Sequence, residues 1–324
     1  MSIYKKAILF LIISSITLTI LYKTDPHNSK VPLVAIANYG SHSTLLETVE
    51  GIKTKLTEIG YVENETVRYE VSDVNFDSTL IAQMLNKLRS SRPKVLVAIS
   101  TPVAQAAKNT IRTVPIVYAD VTDPVDAGLI GESSSNITGA SDKQNLSLML
   151  GFAKELIPSA QKVGILYSTG EANDESLVKM LKEEAQKYNI EVVEVPLEHA
   201  RDAAARMNIF KNNVDFIYTG SSASVQSAFP AIVGAANSMN IPIINFDGDE
   251  VVKNNALASY GVSHKKVGAN AAIIIDELLK GTDIKNIESV YPSKEDHVGY
   301  VNRALMNKFN LIMPDNLSDV IVVD

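Results

Sequence analysis

The sequence predicts an α/β protein of two doubly wound lobes joined by a hinge. Three observations carry this. The chain has 324 residues, and at roughly 150 residues per domain that length suggests two domains. Apolar strand-like runs alternate with amphipathic helical stretches, a pattern of parallel sheets covered on both faces. The rhythm pauses after Gly139 and starts again, so the strands fall into two series of four or five.

In the first series, Val31–Ala37 reads as a strand. A helix follows over 44–59, with Leu45, Val49, Ile52, Leu56 and Ile59 at helical spacing and Gly60 ending it. Thr66–Val71 is a strand. Asp77 caps a helix to about Ser90 that carries Leu80, Ile81, Met84, Leu85 and Leu88. Val95–Ile99 is a wholly apolar strand, and Thr101-Pro102 opens the next helix with a cap and an early proline. Pro115–Tyr118 closes the series.

The second series begins with a helix over 146–156 and a strand over 163–167. Next come a helix over 175–188 and strands over 191–195 and 216–218. A helix over 224–239 is expected to kink at Pro230. Strands over 241–246 and 257–260 follow, then a long helix over 264–279, a strand over 297–301 and a short helix near 303–309. No Gly/Ser-rich linker separates the halves, so short crossing strands are expected between them.

Composition excludes several classes. Net charge is −7 and no basic patch stands out, which argues against nucleic acid as a partner. There is no cysteine, so disulfides, thiolate nucleophiles and cysteine-based zinc sites are out. The five histidines, at 27, 42, 199, 264 and 297, show no H-E-x-x-H spacing, so no metal site is expected. There is no G-x-G-x-x-G, no Walker loop and no G-x-S-x-G, so neither a cofactor nor an enzyme is expected.

The first 30 residues read as an address plus a linker. Lys5 and Lys6 precede an apolar run from Ala7 to Leu21, and polarity returns at Tyr22–Pro26. That is the order of a secretory signal, and the run is short for a membrane span. Leu18 to Lys23 holds no small-x-small cleavage site, so an uncleaved N-terminal anchor is the alternative.

In doubly wound sheets, ligands bind beyond the carboxyl ends of the strands. Those ends carry Ser100-Thr101-Pro102, Asp120–Pro124 with Asp123, Thr138–Asp142 with Ser141, and Ser168–Asn173 with Glu171. They also carry Thr219–Ser222 with Ser221, and Asp247-Gly248-Asp249. Helix N-termini suit an anion and the acids suit an ammonium group, so the pattern fits a zwitterion such as an amino acid. Each Ser, Thr or Asp here also fits an ordinary helix cap. Asp142, at the expected hinge, and Glu171, longer than a cap requires, stand out. Tyr39, Phe246 and Tyr260 are candidates to stack on a ring, or simply core and rim.

Three stretches then carry a family likeness: Val97–Ala107, Val114–Tyr118 and Val121–Leu129. So do Asn136-Ile137-Thr138-Gly139-Ala140-Ser141-Asp142, Gly164–Tyr167 followed by Gly170-Glu171-Ala172-Asn173, Ala256–Ala258 and Gly268. From about Val31 onward the chain resembles the ABC transporter substrate-binding family that includes tryptophan- and tyrosine-binding proteins. The resemblance implies a type I periplasmic-binding-protein fold of two Rossmann-like lobes, with residues 31–139 and 263–292 in one lobe and 140–262 and 293–324 in the other. It implies a small-molecule ligand, a partner permease and its ATPase, and a periplasmic, exported setting, with the membrane met only through the N-terminal segment or the permease. Carried over by position, it places Thr101, Asp123, Ser141, Asp142, Glu171 and Asn173 in the cleft. Ser222-Ala223 stands where members commonly have Asp-Asn, and His42–Leu46 lacks the acid of the family's His-Pro-x-Leu-Asp. A ligand sensor of the same fold, uncoupled to transport, is the alternative.

Overall fold

The computed structural model describes residues 31–131, 136–315, 317 and 320–324. The N-terminal signal or anchor segment lies outside the described residues.

The first sheet contains β1 (Leu33–Asn38), β2 (Arg68–Asp73), β3 (Val95–Ile99), β4 (Ile116–Val121) and β5 (Ile137–Ser141), in the order β2-β1-β3-β4-β5. Helices α1 (Ser43–Glu58), α2 (Ile81–Ser90) and α3 (Thr101–Thr110) link its first four strands. The second sheet has the order β12-β11-β10-β9-β8-β6-β7. Its strands are β6 (Lys162–Tyr167), β7 (Glu191–Pro196), β8 (Phe216–Thr219), β9 (Ile243–Asn245), β10 (Ala258–Val262), β11 (His297–Asn302) and β12 (Val320–Val323). The helices of this half are α4 (Leu146–Leu156), α5 (Ala172–Lys187), α6 (Ala203–Met207), α7 (Ala223–Ser227), α8 (Phe229–Met239), α9 (Asp249–Val252), α10 (His264–Lys280) and α11 (Arg303–Lys308).

Both sheets are buried on two faces, as the uninterrupted apolar strands require. One face of the first sheet packs on α2 and α3 through Met84, Leu88, Val103 and Ala107. Its other face packs on α1 and α10 through Ile52, Leu56, Val267 and Ile275. The second sheet sits between α4 and α5, with Leu150, Leu156 and Leu181, and a layer carrying Met207, Val225 and Ile232. Helix α10 thus returns to the first sheet although its sequence follows strands of the second. Its contact with α1 is a close approach: a Cβ on Gly268 would run into the Thr48 carbonyl, and one on Gly51 into that of Lys265.

The chain passes between the sheets three times, between Ser141 and Leu146, Val262 and His264, and Val290 and His297. These crossings meet in one hinge region. They also explain the one antiparallel pair. Strand β11 runs against β10, whereas every other strand pair among the described residues is parallel. It enters straight from the hinge, without the covering helix that would reset its direction.

Three local features depart from the sequence expectation. The 136–142 stretch forms an edge strand, β5, before it crosses. Pro230 separates two helices rather than kinking one, with Ala228 between them and the proline in the first turn of α8. The sequence pattern predicts neither helix α6 nor strand β12, because Ala203–Met207 has little apolar period and Val320–Val323 stands alone near the terminus. No helix among the described residues is long and apolar enough to cross a membrane.

Candidate ligand-binding cleft

The carboxyl ends of both sheets face one cleft with about 480 Å³ of unfilled space, its mouth included. Tyr39 follows β1, Ser100 and Thr101 follow β3, and Asp120 and Thr122 lie at the end of β4. From the opposite side come Glu171 and Asn173 after β6, Ser221 after β8 and Phe246 after β9. Asp142 and His264 come from two of the hinge crossings.

The backbone is strained where it meets this cleft. Ser100 has φ +82° and Asp120 has φ +52°, both in the left-handed region that L side chains rarely adopt. Such strain concentrates at ligand sites because the surrounding structure must hold it in place.

Electrostatics set the character of the hinge side. His264 Nδ1 lies 2.9 Å from Asp120 Oδ1, and both side chains are almost wholly buried. Burial alone would favour the neutral imidazole, but the charge and hydrogen bond of Asp120 outweigh it and push the His264 pKa up to about 9. Asp142 is also buried. Burial and then the Asp120 charge push its pKa up to about 7 against the opposing pull of His264. The three groups offer ligand atoms within 4.8 Å of one another.

The second-sheet side has its own acids. Burial raises the Glu171 pKa against a hydrogen bond from the Ala223 N–H at 3.4 Å. Asp174 accepts the Ser168 N–H at 2.6 Å, and burial followed by the Glu171 charge pushes its pKa up to about 8. Aromatic rings line the rest. Tyr39 and Phe76 meet edge to face with centroids 5.4 Å apart, and Phe246 lies 5.8 Å from the His264 ring at a right angle.

Five buried polar atoms of the cleft wall have no hydrogen-bond partner among the described residues: Thr101 Oγ1, Asp120 Oδ2, Asp142 Oδ1, Asn173 Oδ1 and His264 Nε2. Such atoms are rare in folded proteins, and each costs about 1–3 kcal/mol when left unmet. Of fourteen such atoms among the described residues, these five gather around one cavity, where a polar ligand would meet them.

Of the residues picked from sequence, the structure brings Thr101, Asp142, Glu171, Asn173 and Ser221 to the cleft wall. It does not bring Asp123, Ser141 or Asp247 there. Asp123 caps the Val125 and Asp126 N–H groups and pairs with Lys143 Nζ at 2.7 Å. Ser141 Oγ donates to the Val121 carbonyl at 2.7 Å and accepts the Lys143 N–H. Asp247 caps the Asp249 N–H and accepts from Ser43 Oγ across the lobes at 3.2 Å. Strand-end acids thus divide between capping and cleft, and spacing alone does not separate them. Asp120 and His264 were missed, since they lie 144 residues apart and only the return of α10 to the first sheet unites them.

Two doubly wound lobes facing each other across a polar cleft are the build of a solute-binding protein. The chain belongs to the family of ABC transporter substrate-binding proteins, whose model matches residues 33–321. It is 30% identical over 268 residues to a tyrosine-binding protein of Clostridioides difficile, a span of 82% of this chain and 77% of that one. Among solved structures, a conserved domain protein of Vibrio cholerae superposes with a TM-score of 0.84 at 26% identity, covering 91% of this chain and all of the other. A Streptococcus domain in complex with L-Trp superposes with the same TM-score at 24% identity and the same coverage. A ligand-free, open substrate-binding protein of Clostridium difficile gives a TM-score of 0.70 at 26% identity, covering 91% and 99%.

Proposed function

We propose that the protein captures an amino acid, with an aromatic one favoured, by hinged closure of its lobes and delivers it to a membrane permease driven by an ATPase. The observation that carries this reading is the set of five unpartnered buried atoms, drawn from both lobes and the hinge, around one cavity. Asp142 and Asp120 supply acceptors for an ammonium group. The Thr101 hydroxyl and the free N–H groups at the start of α3 suit a carboxylate. Tyr39, Phe76 and Phe246 offer ring surface for the side chain. The names of the tyrosine-binding relative and the L-Trp complex support the same class.

The lobe arrangement supports closure on a ligand. The chain superposes better on the L-Trp complex, at 0.84, than on the open ligand-free relative, at 0.70. Capture then follows from differential affinity for the closed state. Lys5, Lys6 and the apolar run Ala7–Leu21 support export to the periplasm, with the N-terminal segment as leader or anchor.

Titration calorimetry with L-tryptophan and L-tyrosine tests the ligand class. Binding of at least one is expected, and Asp142→Ala should abolish it while circular dichroism shows an intact fold. If neither amino acid binds the wild-type protein at pH 8, the aromatic amino-acid reading is wrong.

A further inference from the structure

We propose that ligand capture in this cleft is coupled to release of one proton from the Asp120–Asp142–His264 cluster. The inference rests on the amino-acid reading above and adds to it how the site is charged before the ligand arrives.

The argument begins with geometry. Two carboxylates and one imidazole lie within 4.8 Å of one another, each side chain almost fully removed from water. One imidazolium can offset one carboxylate. Its Nδ1 is engaged with Asp120 Oδ1 at 2.9 Å, so that offset belongs to Asp120. Asp142 is the carboxylate left over, and its Oδ1 has no partner.

The groups that face Asp142 from each packed element do not neutralise it. From the end of β4 come Asp120, whose charge opposes its ionisation, and Thr122, which offers only a hydrogen bond. From β8 comes the Tyr218 hydroxyl, buried and neutral, its own pKa raised by burial and by Asp142. From α10 comes His264, which also answers to Asp247. His42, beyond it, has a pKa lowered by burial. Lys143, next in the chain, is tied to Asp123 at 2.7 Å. A second buried charge beside Asp120, with no cation of its own, keeps its proton.

An arriving ammonium group supplies that cation. The exchange balances: the Asp142 carboxylic acid and the ligand's R–NH3+ become an Asp142 carboxylate paired with R–NH3+, and one proton leaves to solvent. No bond of the ligand breaks. The upward shift of Asp142 to about 7 places the exchange near neutrality. Below that pH, bound ligand and bound proton compete, so Kd rises about tenfold for each unit of acidification. Above it, Asp142 is already ionised and Kd is flat until the ligand's own ammonium deprotonates. An exported protein meeting acidic surroundings would therefore loosen its hold on the ligand.

Two measurements on the full protein decide this. The first needs no ligand. Infrared difference spectroscopy of the free protein should show a protonated carboxyl band at pH 6 that fades by pH 8.5 and is absent in Asp142→Asn. The second is calorimetry with L-tryptophan and L-tyrosine at pH 6 and pH 8.5, in buffers of different ionisation enthalpy. Release should approach one proton per ligand at pH 6 and nearly none at pH 8.5. Asp120→Asn should move this window to lower pH. A free protein with Asp142 ionised at pH 6, or a Kd constant from pH 5.5 to 8, overturns the proposal. Failure of both amino acids to bind while the carboxyl band titrates as described would instead count against the choice of ligand.

Discussion

His264 Nδ1 and Asp120 Oδ1 stand 2.9 Å apart in the hinge, joining the start of α10 to the end of β4. The pair fixes how stability responds to pH. His264 has its pKa raised above that of an unfolded histidine, to about 9. Its contribution is therefore complete below about pH 6.5 and is lost as pH rises through about 9. Urea unfolding of the ligand-free protein should show that decline. Asp120→Asn should flatten it and cost roughly 3–5 kcal/mol at pH 6, since it strips a buried charge of its partner. An unchanged slope in the variant would mean that the imidazole is neutral in the fold.

Asp142 acts in the same direction over a lower pH window, but as a cost to the ionised fold. An acid whose folded pKa lies above its unfolded value binds its proton more tightly when folded, so stability falls as pH rises from about 4 toward 7. Asp142→Asn removes that cost. The variant should melt higher than the wild type at pH 8, by an equivalent of about 2–4 kcal/mol, and differ little at pH 4. It should also bind ligand far more weakly. Gain of stability with loss of binding is the mark of a residue kept for its ligand. A variant less stable than the wild type at pH 8 would assign Asp142 a structural role.

The sequence carried the strand–helix alternation because both sheets are covered on two faces, which leaves their strands as apolar runs such as Val95–Ile99. It carried Thr101, Asp142, Glu171 and Asn173 because each lies within six residues of the carboxyl end of a strand. The partnership of Asp120 with His264 was not legible, since it depends on a chain that crosses between sheets three times. The split role of strand-end acids was equally hidden. Asp123 caps its own loop and Asp247 caps its own helix, whereas Asp142 has an oxygen that nothing local satisfies. All three lie within two residues of a strand end, and what separates them is whether nearby N–H groups meet their oxygens.

The α1–α10 contact holds the hinge end of α10, and hence His264, against the first lobe. Gly268 faces the Thr48 carbonyl and Gly51 faces the Lys265 carbonyl. Neither neighbour is a flexible side chain, so a methyl group can be accommodated only by moving a helix. Gly268→Ala should destabilise by about 1–3 kcal/mol in chemical denaturation, as overpacking does. Because His264 sits one turn away, ligand affinity should fall as well. A variant of unchanged stability would mean that the two helices slide freely.

Contacts across the cleft mouth should set how long a ligand stays. Asp126, in the loop after β4, meets α5 of the opposite lobe through Ser176 Oγ at 3.3 Å and Lys179 Nζ at 3.4 Å. At another point Ser43, at the start of α1, donates to Asp247 at 3.2 Å. None of these five side chains lines the cleft, so their contribution falls on the closed state rather than on the ligand. Half-exposed pairs of this kind are worth about 0.2–1 kcal/mol. Asp126→Ala should therefore speed ligand dissociation by roughly 1.4- to 5-fold, leaving the association rate almost unchanged. Combining it with Ser43→Ala should multiply the two effects, as the contacts share no partner. Stopped-flow fluorescence of the tyrosine-containing protein, with no tryptophan to obscure an added L-tryptophan signal, measures both rates. Equal dissociation rates in wild type and double variant would show that closure is held by the ligand and the hinge alone.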